Sequence, residues 1–192
     1  MKKIYFVRHG QTDYNLIGRL QGHTDQPLNG TGIGQAEALA EKLRAAGLTF
    51  DRVISSPLIR ARRTAEIVSG RDGSGIEIDE RIIEKDLGPW EGVLQEDMPK
   101  EARAFLRDPW GKDETFGMEH IDHVVARVSD FADWLKTADG ESVLVASHGG
   151  ALRVLFGVLV APDKWEPVLE NCALYLVTEQ DGRLSRPEKV EL

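Results

Sequence analysis

The chain has 192 residues, with 24 Lys and Arg against 32 Asp and Glu and a formal net charge of -8. That length buries a core without disulfide or metal staples, and the single Cys172 excludes an intramolecular disulfide and any multi-cysteine metal site. The acidic balance argues against a general nucleic-acid binder, and 41% hydrophobic with 29% charged side chains argues against a disordered chain. The charge is uneven, since residues 1–63 hold ten basic and five acidic side chains and the remainder 14 basic and 27 acidic.

Ile4–Val7 is a run of β-branched and aromatic residues and predicts a buried strand. Only four apolar residues precede Arg8, too few for the apolar segment of a signal peptide. Residues 8–30 are polar and turn-rich and read as a loop. Thr31–Ala46 has helical spacing, with Ile33, Ala36, Leu39, Ala40 and Leu43 on one face and Gly47 as a stop. Arg52–Ser55 predicts a second strand. Ser56 and Pro57 then read as an N-cap and a first-turn proline of a helix that runs to about Val68 and ends at Gly70.

Ile76–Ile78 is a weak third strand. Residues 84–118 show little periodicity and read as an irregular cap with one short helix near Glu101–Arg107; the tryptophans are candidate cap residues, apart from a partly core Trp134. Glu119–Lys136 regains helical spacing through Ile121, Val124, Val125, Val128, Phe131 and Leu135. Ser142–Ala146 is the strongest strand, followed by a helix from about Gly149 to Val160 that stops at Pro162. The stretch Ser142–Ala161 is broken by His148, two glycines and Arg153, so no membrane span is expected and a cytoplasmic location is. Ala173–Thr178 predicts another strand and Arg183–Lys189 an edge strand. Continuous apolar strands alternating with helices predict a three-layer α/β/α fold. Its central sheet is mostly parallel, in one domain over residues 1–192 with a cap insertion at about 85–120.

Three strands run into unusual polar groups: Arg8-His9-Gly10, then Ser55-Ser56-Pro57 with Arg60 on the following helix, then Ser147-His148-Gly149-Gly150. Ligands of open α/β sheets bind at the carboxyl ends of strands, so these groups should meet. Arginine forks and helix N-termini suit an anion, phosphate above all, and a histidine beside bound phosphate can attack phosphorus. Arg62 and Arg63 are rotated away from Arg60 along the helix. Among acids that could supply a proton, Glu80, Glu84, Asp86 and Glu91 are equivalent on this ground alone.

The ordered blocks Arg8-His9-Gly10-Gln11-Thr12 with Asn15, Gly18-Arg19-Leu20-Gln21-Gly22 with Pro27-Leu28, Ser55-Ser56-Pro57-Leu58-Ile59-Arg60-Ala61 with Thr64-Ala65, Ile83-Glu84 through Gly92, and Ser147-His148-Gly149-Gly150 cover most of the chain. Together they resemble the histidine phosphatase superfamily, the phosphoglycerate mutase-like proteins. The resemblance implies a nucleophilic His9 that becomes phosphohistidine. It makes Arg8, Arg60 and His148 phosphoryl-binding groups and Glu84 the proton donor and later base. Asn15, Gln21, Gly22 and Gly149 are expected to line the substrate side. A small phosphorylated metabolite is the implied partner, with no metal and no organic cofactor, in a monomer or homodimer.

The phosphatase branch is favoured because mutases of the family typically carry longer caps; a mutase or a non-catalytic phospholigand binder is the alternative. Two departures from the family's usual pattern fall near the expected rim: Gly117-Met118-Glu119-His120 where Gly-Gly-Glu-Ser is common, and Arg63 where Gln is common before Thr64. Neutral His9 needs its second ring nitrogen to donate to an acceptor, a backbone carbonyl being the natural one. His120 and His123 share a helical face beside two acids. This is a weak rival metal site that reads better as a solvated face, with His120 expected near the pocket mouth.

Overall fold

In the computed structural model, residues 1–108, 110, 114–160 and 169–192 are described. Lys2–Arg8 forms strand β1, two residues longer at its start and one at its end than the apolar run itself. The following loop contains a one-turn helix, α1 (Asp13–Leu16), which the polar sequence hid. Thr12 and Asn15 close a reciprocal capping box around it, so side-chain hydrogen bonding, not apolar periodicity, shapes that turn. Helix α2 (Gly30–Ala45) begins at an Asn29 cap and buries Ala36, Leu39, Ala40 and Leu43; Ile33 is only half-buried.

Strand β2 (Arg52–Ser55) has its expected bounds, but Ser56 does not cap the next helix. Helix α3 (Ile59–Ser69) starts after Leu58 with no side-chain cap, and Gly70 ends it in the left-handed conformation. The Ser56 hydroxyl is engaged elsewhere, as described below. Strand β3 (Glu77–Ile78) is a two-residue edge. The cap region holds 3-10 turns and one helix, α4 (Lys100–Arg107). Helix α5 (Ile121–Thr137), capped by His120, buries Ile121, Val124, Val128, Phe131 and Leu135. Strand β4 (Ser142–Ser147) and helix α6 (Gly149–Val160) follow; the expected stop at Pro162 lies outside the described residues, as does Trp165. Strand β5 (Leu174–Gln180) is flanked by two short pieces, β6 (Arg183–Leu184) and β7 (Glu188–Lys189), in place of one edge strand.

The sheet order is β3-β2-β4-β1-β5-β6, with β7 also on β5. The first four strands are parallel, and the last three join antiparallel. One core cluster joins Ile4, Phe6, Val143 and Val145 to α5 and α6, and another joins Tyr5, Val7, Val53 and Leu144 to α2 and α3. Alternate residues of β1 and β4 therefore serve opposite layers, as the two-residue period of a strand requires. A third cluster, Leu87, Met98, Ala102, Phe105 and Met118, lies in the cap with Trp90 and Phe116 packed on it. Trp110 and Trp134 pack instead on the α5–α6 side.

Register brings the strand ends together. Arg8 pairs with Ser147, and Ser55 pairs with Ala146, so the ends of β1, β4 and β2 stand side by side. Phe6, two residues before Arg8, is buried edge-on against Phe156, with ring centroids 5.5 Å apart. Phe6→Ala should lower stability by about 3–5 kcal/mol through transfer and cavity costs; urea unfolding monitored by circular dichroism checks this.

Candidate active site

A cavity of about 320 Å³ opens at these strand ends, and Arg8, His9, Asn15, Gln21, Gly22, Arg60 and Glu84 line it. The structure thus brings together residues up to 142 positions apart in sequence, from Arg8 to Gly150. His148 is fully buried behind the cavity wall, its ring centroid 5.2 Å from that of His9. Gly149 is not part of the lining. It backs Arg8, where a Cβ would stand 3.3 Å from the Arg8 Nε, and Gly150 takes the lining position instead.

Hydrogen bonds hold the His9-Gly10 turn, beginning with the His9 amide to the Ser147 carbonyl at 3.0 Å. The His9 Nδ1 lies 2.7 Å from the Gly10 carbonyl oxygen, which can only accept, so Nδ1 carries the proton and Nε2 keeps its lone pair. The Gly10 amide donates to the Thr64 hydroxyl on α3, which donates onward to the Arg60 carbonyl. The Asn171 amide donates to the His9 carbonyl at 2.9 Å. The α2 start packs directly against this turn: a Cβ on Gly32 would meet the Gln11 carbonyl oxygen at 2.1 Å, and one on Gly10 would meet the Gly32 carbonyl oxygen at 2.5 Å. Burial, then Arg60 and Arg8, hold the His9 ring well below the usual histidine range, so the ring is neutral.

Arg60 is buried on α3, whereas Arg62 and Arg63 point outward and Arg63 pairs with Glu66. Arg60 donates through its terminal nitrogens to the Gly22 and Thr24 carbonyls and through Nε to the His148 Nδ1, at 2.7, 2.9 and 3.2 Å. That bond makes His148 Nδ1 an acceptor. The proton must then be on Nε2, which donates to the Ser56 hydroxyl at 2.7 Å. Ser56, read from sequence as a helix cap, is instead the acceptor for the proton that Arg60 confines to Nε2. Arg8 donates to the Leu169 carbonyl, and its buried Nε has no hydrogen-bond partner among the described residues.

Of the four acids that sequence left equivalent, only Glu84 lines the cavity. Glu80 is exposed; Asp86 caps the Gly88 amide; Glu91 accepts from the His23, Thr24 and Leu87 amides. Glu84 accepts from the backbone amides of Lys85, Gly150 and Ala151 at 2.9, 3.1 and 2.8 Å. The α6 N-terminus, expected as an anion-binding end, is therefore occupied by this carboxylate. Gly150 leaves it room, since a Cβ there would meet Glu84 Oε1 at 2.5 Å.

The sequence reading missed Tyr14, Arg19, Lys85, Leu87, Gln95 and Leu106, all on the cavity wall. Only Lys85 left a sequence signal, a lone base between Glu84 and Asp86. His120 lies outside this cavity, in a neighbouring groove with His23, Asp86, Glu119 and His123. Its Nδ1 accepts the Asp122 amide, and the His120 and His123 ring centroids are 6.1 Å apart. Among the described residues no three His, Cys, Asp or Glu side chains converge to hold a metal ion. Cys172 is half-buried, and desolvation pushes its thiol up to about 12.

Burial also holds His148 well below the ordinary histidine range, with Arg60 adding to it. Both rings stay neutral in the folded state at pH values where unfolded histidine, near 6.5, is protonated. The unfolded state then binds more protons, so stability is fully present above about pH 6.5 and falls as pH drops toward the native values, by up to about 1.4 kcal/mol per unit per ring. Urea midpoints of the wild type between pH 7.5 and 5.5 should fall, and His148→Asn should flatten that slope.

The sequence pattern of the histidine phosphatase superfamily (branch 1) matches residues 4–187. "Probable phosphoglycerate mutase GpmB" of Salmonella paratyphi A is 32% identical over 190 residues, which span 95% of this chain and 87% of that protein. A solved Escherichia coli structure, provisionally described as an alpha-ribazole-5'-P phosphatase, superposes with a TM-score of 0.84 at 26% identity, covering 100% of this chain and 96% of that one. The mycobacterial glucosyl-3-phosphoglycerate phosphatase, solved with VO3, superposes at 0.79 with 28% identity and 98% coverage of each chain. The chain belongs to the histidine phosphatase superfamily.

Proposed function

We propose that the protein is a phosphatase that hydrolyses a small phosphomonoester through a covalent phosphohistidine on His9, with residues 85–120 as the cap of one catalytic domain. The observation that carries this reading is the His9 ring: neutral, with Nδ1 committed to the Gly10 carbonyl, no hydrogen bond at Nε2 among the described residues, and two arginines on the same cavity.

The Nε2 lone pair attacks phosphorus while the bond from phosphorus to the leaving alcohol oxygen breaks. Glu84 donates a proton to that oxygen. Arg8 and Arg60 stabilise the charge spread over the phosphoryl oxygens, and buried His148 orients Arg60 through its Nδ1. A water then attacks the phosphohistidine, Glu84 takes its proton, the nitrogen–phosphorus bond breaks, and phosphate leaves with Nε2 restored. No step calls on a metal or an organic cofactor.

Relatives carry both phosphatase and mutase names, so a phosphoglycerate-type mutase is the second reading. It shares the first half of the mechanism and returns the phosphoryl group to a substrate hydroxyl. Free phosphate released from several phosphomonoesters supports the hydrolase; isomer interconversion dependent on a bisphosphate primer supports the mutase.

His9→Ala should abolish phosphate release and the acid-labile phosphoenzyme trapped on the wild type; activity retained by that variant refutes the covalent route. Glu84→Gln should slow an alkyl phosphate at least about tenfold more than nitrophenyl phosphate, whose leaving group needs little protonation. Equal losses in steady-state rates would remove Glu84 from the acid role.

A further inference from the structure

A group that hands a proton to a leaving oxygen has to stand in one place, yet the main chain of Glu84 has no regular structure. Residues 84–87 lie outside any strand or helix, just after a 3-10 turn at Glu80–Ile82. The carbonyls of such a segment find no ladder partner, and a buried one left unpaired is costly. Here side chains from elsewhere in the fold take the carbonyls of residues 81, 82, 83 and 84 in turn. Arg127 on α5 donates to the Arg81, Ile83 and Glu84 carbonyls at 2.8, 2.7 and 3.2 Å. The Ser147 hydroxyl donates to the Ile82 carbonyl at 2.7 Å, and His23 Nε2 lies 2.8 Å from the Glu84 carbonyl, which can only accept.

Arg127 is fully committed. Its Nε and Nη2 also donate to the two carboxylate oxygens of Glu119, each at 3.1 Å. A guanidinium has five N–H groups, and these bonds use every one. Glu119 Oε2 also accepts the Asp86 amide at 3.1 Å, and the Glu119 amide donates to the Asp86 carbonyl at 2.8 Å. The two side chains are only 17% and 16% exposed, and neither lines the catalytic cavity. Arg127 therefore has no donor to offer a substrate. What the pair grips is the main chain on both sides of Glu84.

The other end of the same residue, its carboxylate, sits on the Gly150 and Ala151 amides of α6. Glu84 thus spans α5 and α6, which share one core cluster. We propose that Arg127, braced by Glu119, is a positioning residue for proton transfer by Glu84. It sets where the carboxyl stands without touching the substrate. The inference rests on the acid role of Glu84 proposed above. A lysine at position 127 keeps the charge but not the planar fork, so it cannot hold three carbonyls and a carboxylate together. A misplacement of about 1 Å is enough to cost a positioned group much of its effect on rate.

The test compares 4-nitrophenyl phosphate with phenyl phosphate, compounds of similar shape whose leaving groups differ in their need for a proton. kcat/KM, which covers the chemistry up to phosphohistidine formation, is measured for the wild type, Arg127→Lys, Glu119→Gln and Glu84→Gln. Arg127→Lys and Glu119→Gln should each lower kcat/KM for phenyl phosphate about three- to tenfold more than for 4-nitrophenyl phosphate, with a larger contrast in Glu84→Gln. Added to Glu84→Gln, Arg127→Lys should widen that contrast no further. Where Glu84→Gln shows the contrast, equal losses on the two compounds in the other variants, as a merely structural clamp would give, or no loss on either, overturn the proposal. Glu119→Gln, the milder change, carries the test if Arg127→Lys does not fold. The amide proton resonances of Gly150 and Ala151 give a second readout that needs no turnover. They should shift in Arg127→Lys and Glu119→Gln while those of β4 stay in place, and unmoved resonances refute the positioning role. No contrast in Glu84→Gln, or a wild type that hydrolyses neither compound, refutes the acid or phosphatase reading instead, and the resonances still decide whether Arg127 places the carboxylate.

Discussion

A buried guanidinium organises this site. Arg60 sits on α3 with no carboxylate in contact among the described residues, and its donors go to the Gly22 and Thr24 carbonyls and to His148. Those three bonds tie the loop after β1, the helix after β2 and the end of β4 to one planar group. Burial pulls the Arg60 charge down from its ordinary range, and the distant acids Glu84, Asp25 and Glu91 only partly offset this. A cation held this way contributes little to stability by itself and much to the affinity for an arriving anion. Burial first, and then the Arg60 charge with that of Arg8, keep His9 neutral, so Arg60 helps prepare both the proposed nucleophile and a place for an anion.

The secondary supports follow from that arrangement. Thr64 joins α3 to the Gly10 amide, so the arginine and the histidine move as one body. Arg60 fixes the proton on the far nitrogen of His148, and Ser56 accepts the hydrogen bond that nitrogen donates. The parallel register of β1, β4 and β2 supplies the frame, because it stacks the three strand ends without insertion or bulge.

Much of this was legible in the sequence, and the limits are physical. β2, β4 and the apolar faces of α2 and α5 were readable because burial imposes a period on them. The His9, Arg60 and His148 blocks were readable because each follows a strand. Ser56 was misread because a Ser-Pro pair after a strand has the local form of a helix cap, while its partner lies 92 residues away. The α1 turn was invisible because a capping box needs only polar residues. Lys85 and Arg19 were passed over because their burial comes from the cap cluster, whose aperiodic sequence announces no face. The excess of base in residues 1–63 accounts for Arg8, Arg19 and Arg60 but not for Lys85, the fourth cation on the cavity wall, which the acidic remainder supplies.

Among the described residues the Glu84 carboxylate is gripped only by main-chain amides, two of them from the first turn of α6, and Gly150 leaves it space. That seat is thus independent of the identity of neighbouring side chains. Substitutions in the cap away from Glu119 can recast which alcohol is admitted without displacing the acid, and a vulnerable position for that acid is a residue with no side chain at all. If the cap selects the substrate and Glu84 moves the proton, as proposed, then selectivity can drift in the cap while the carboxylate stays in register.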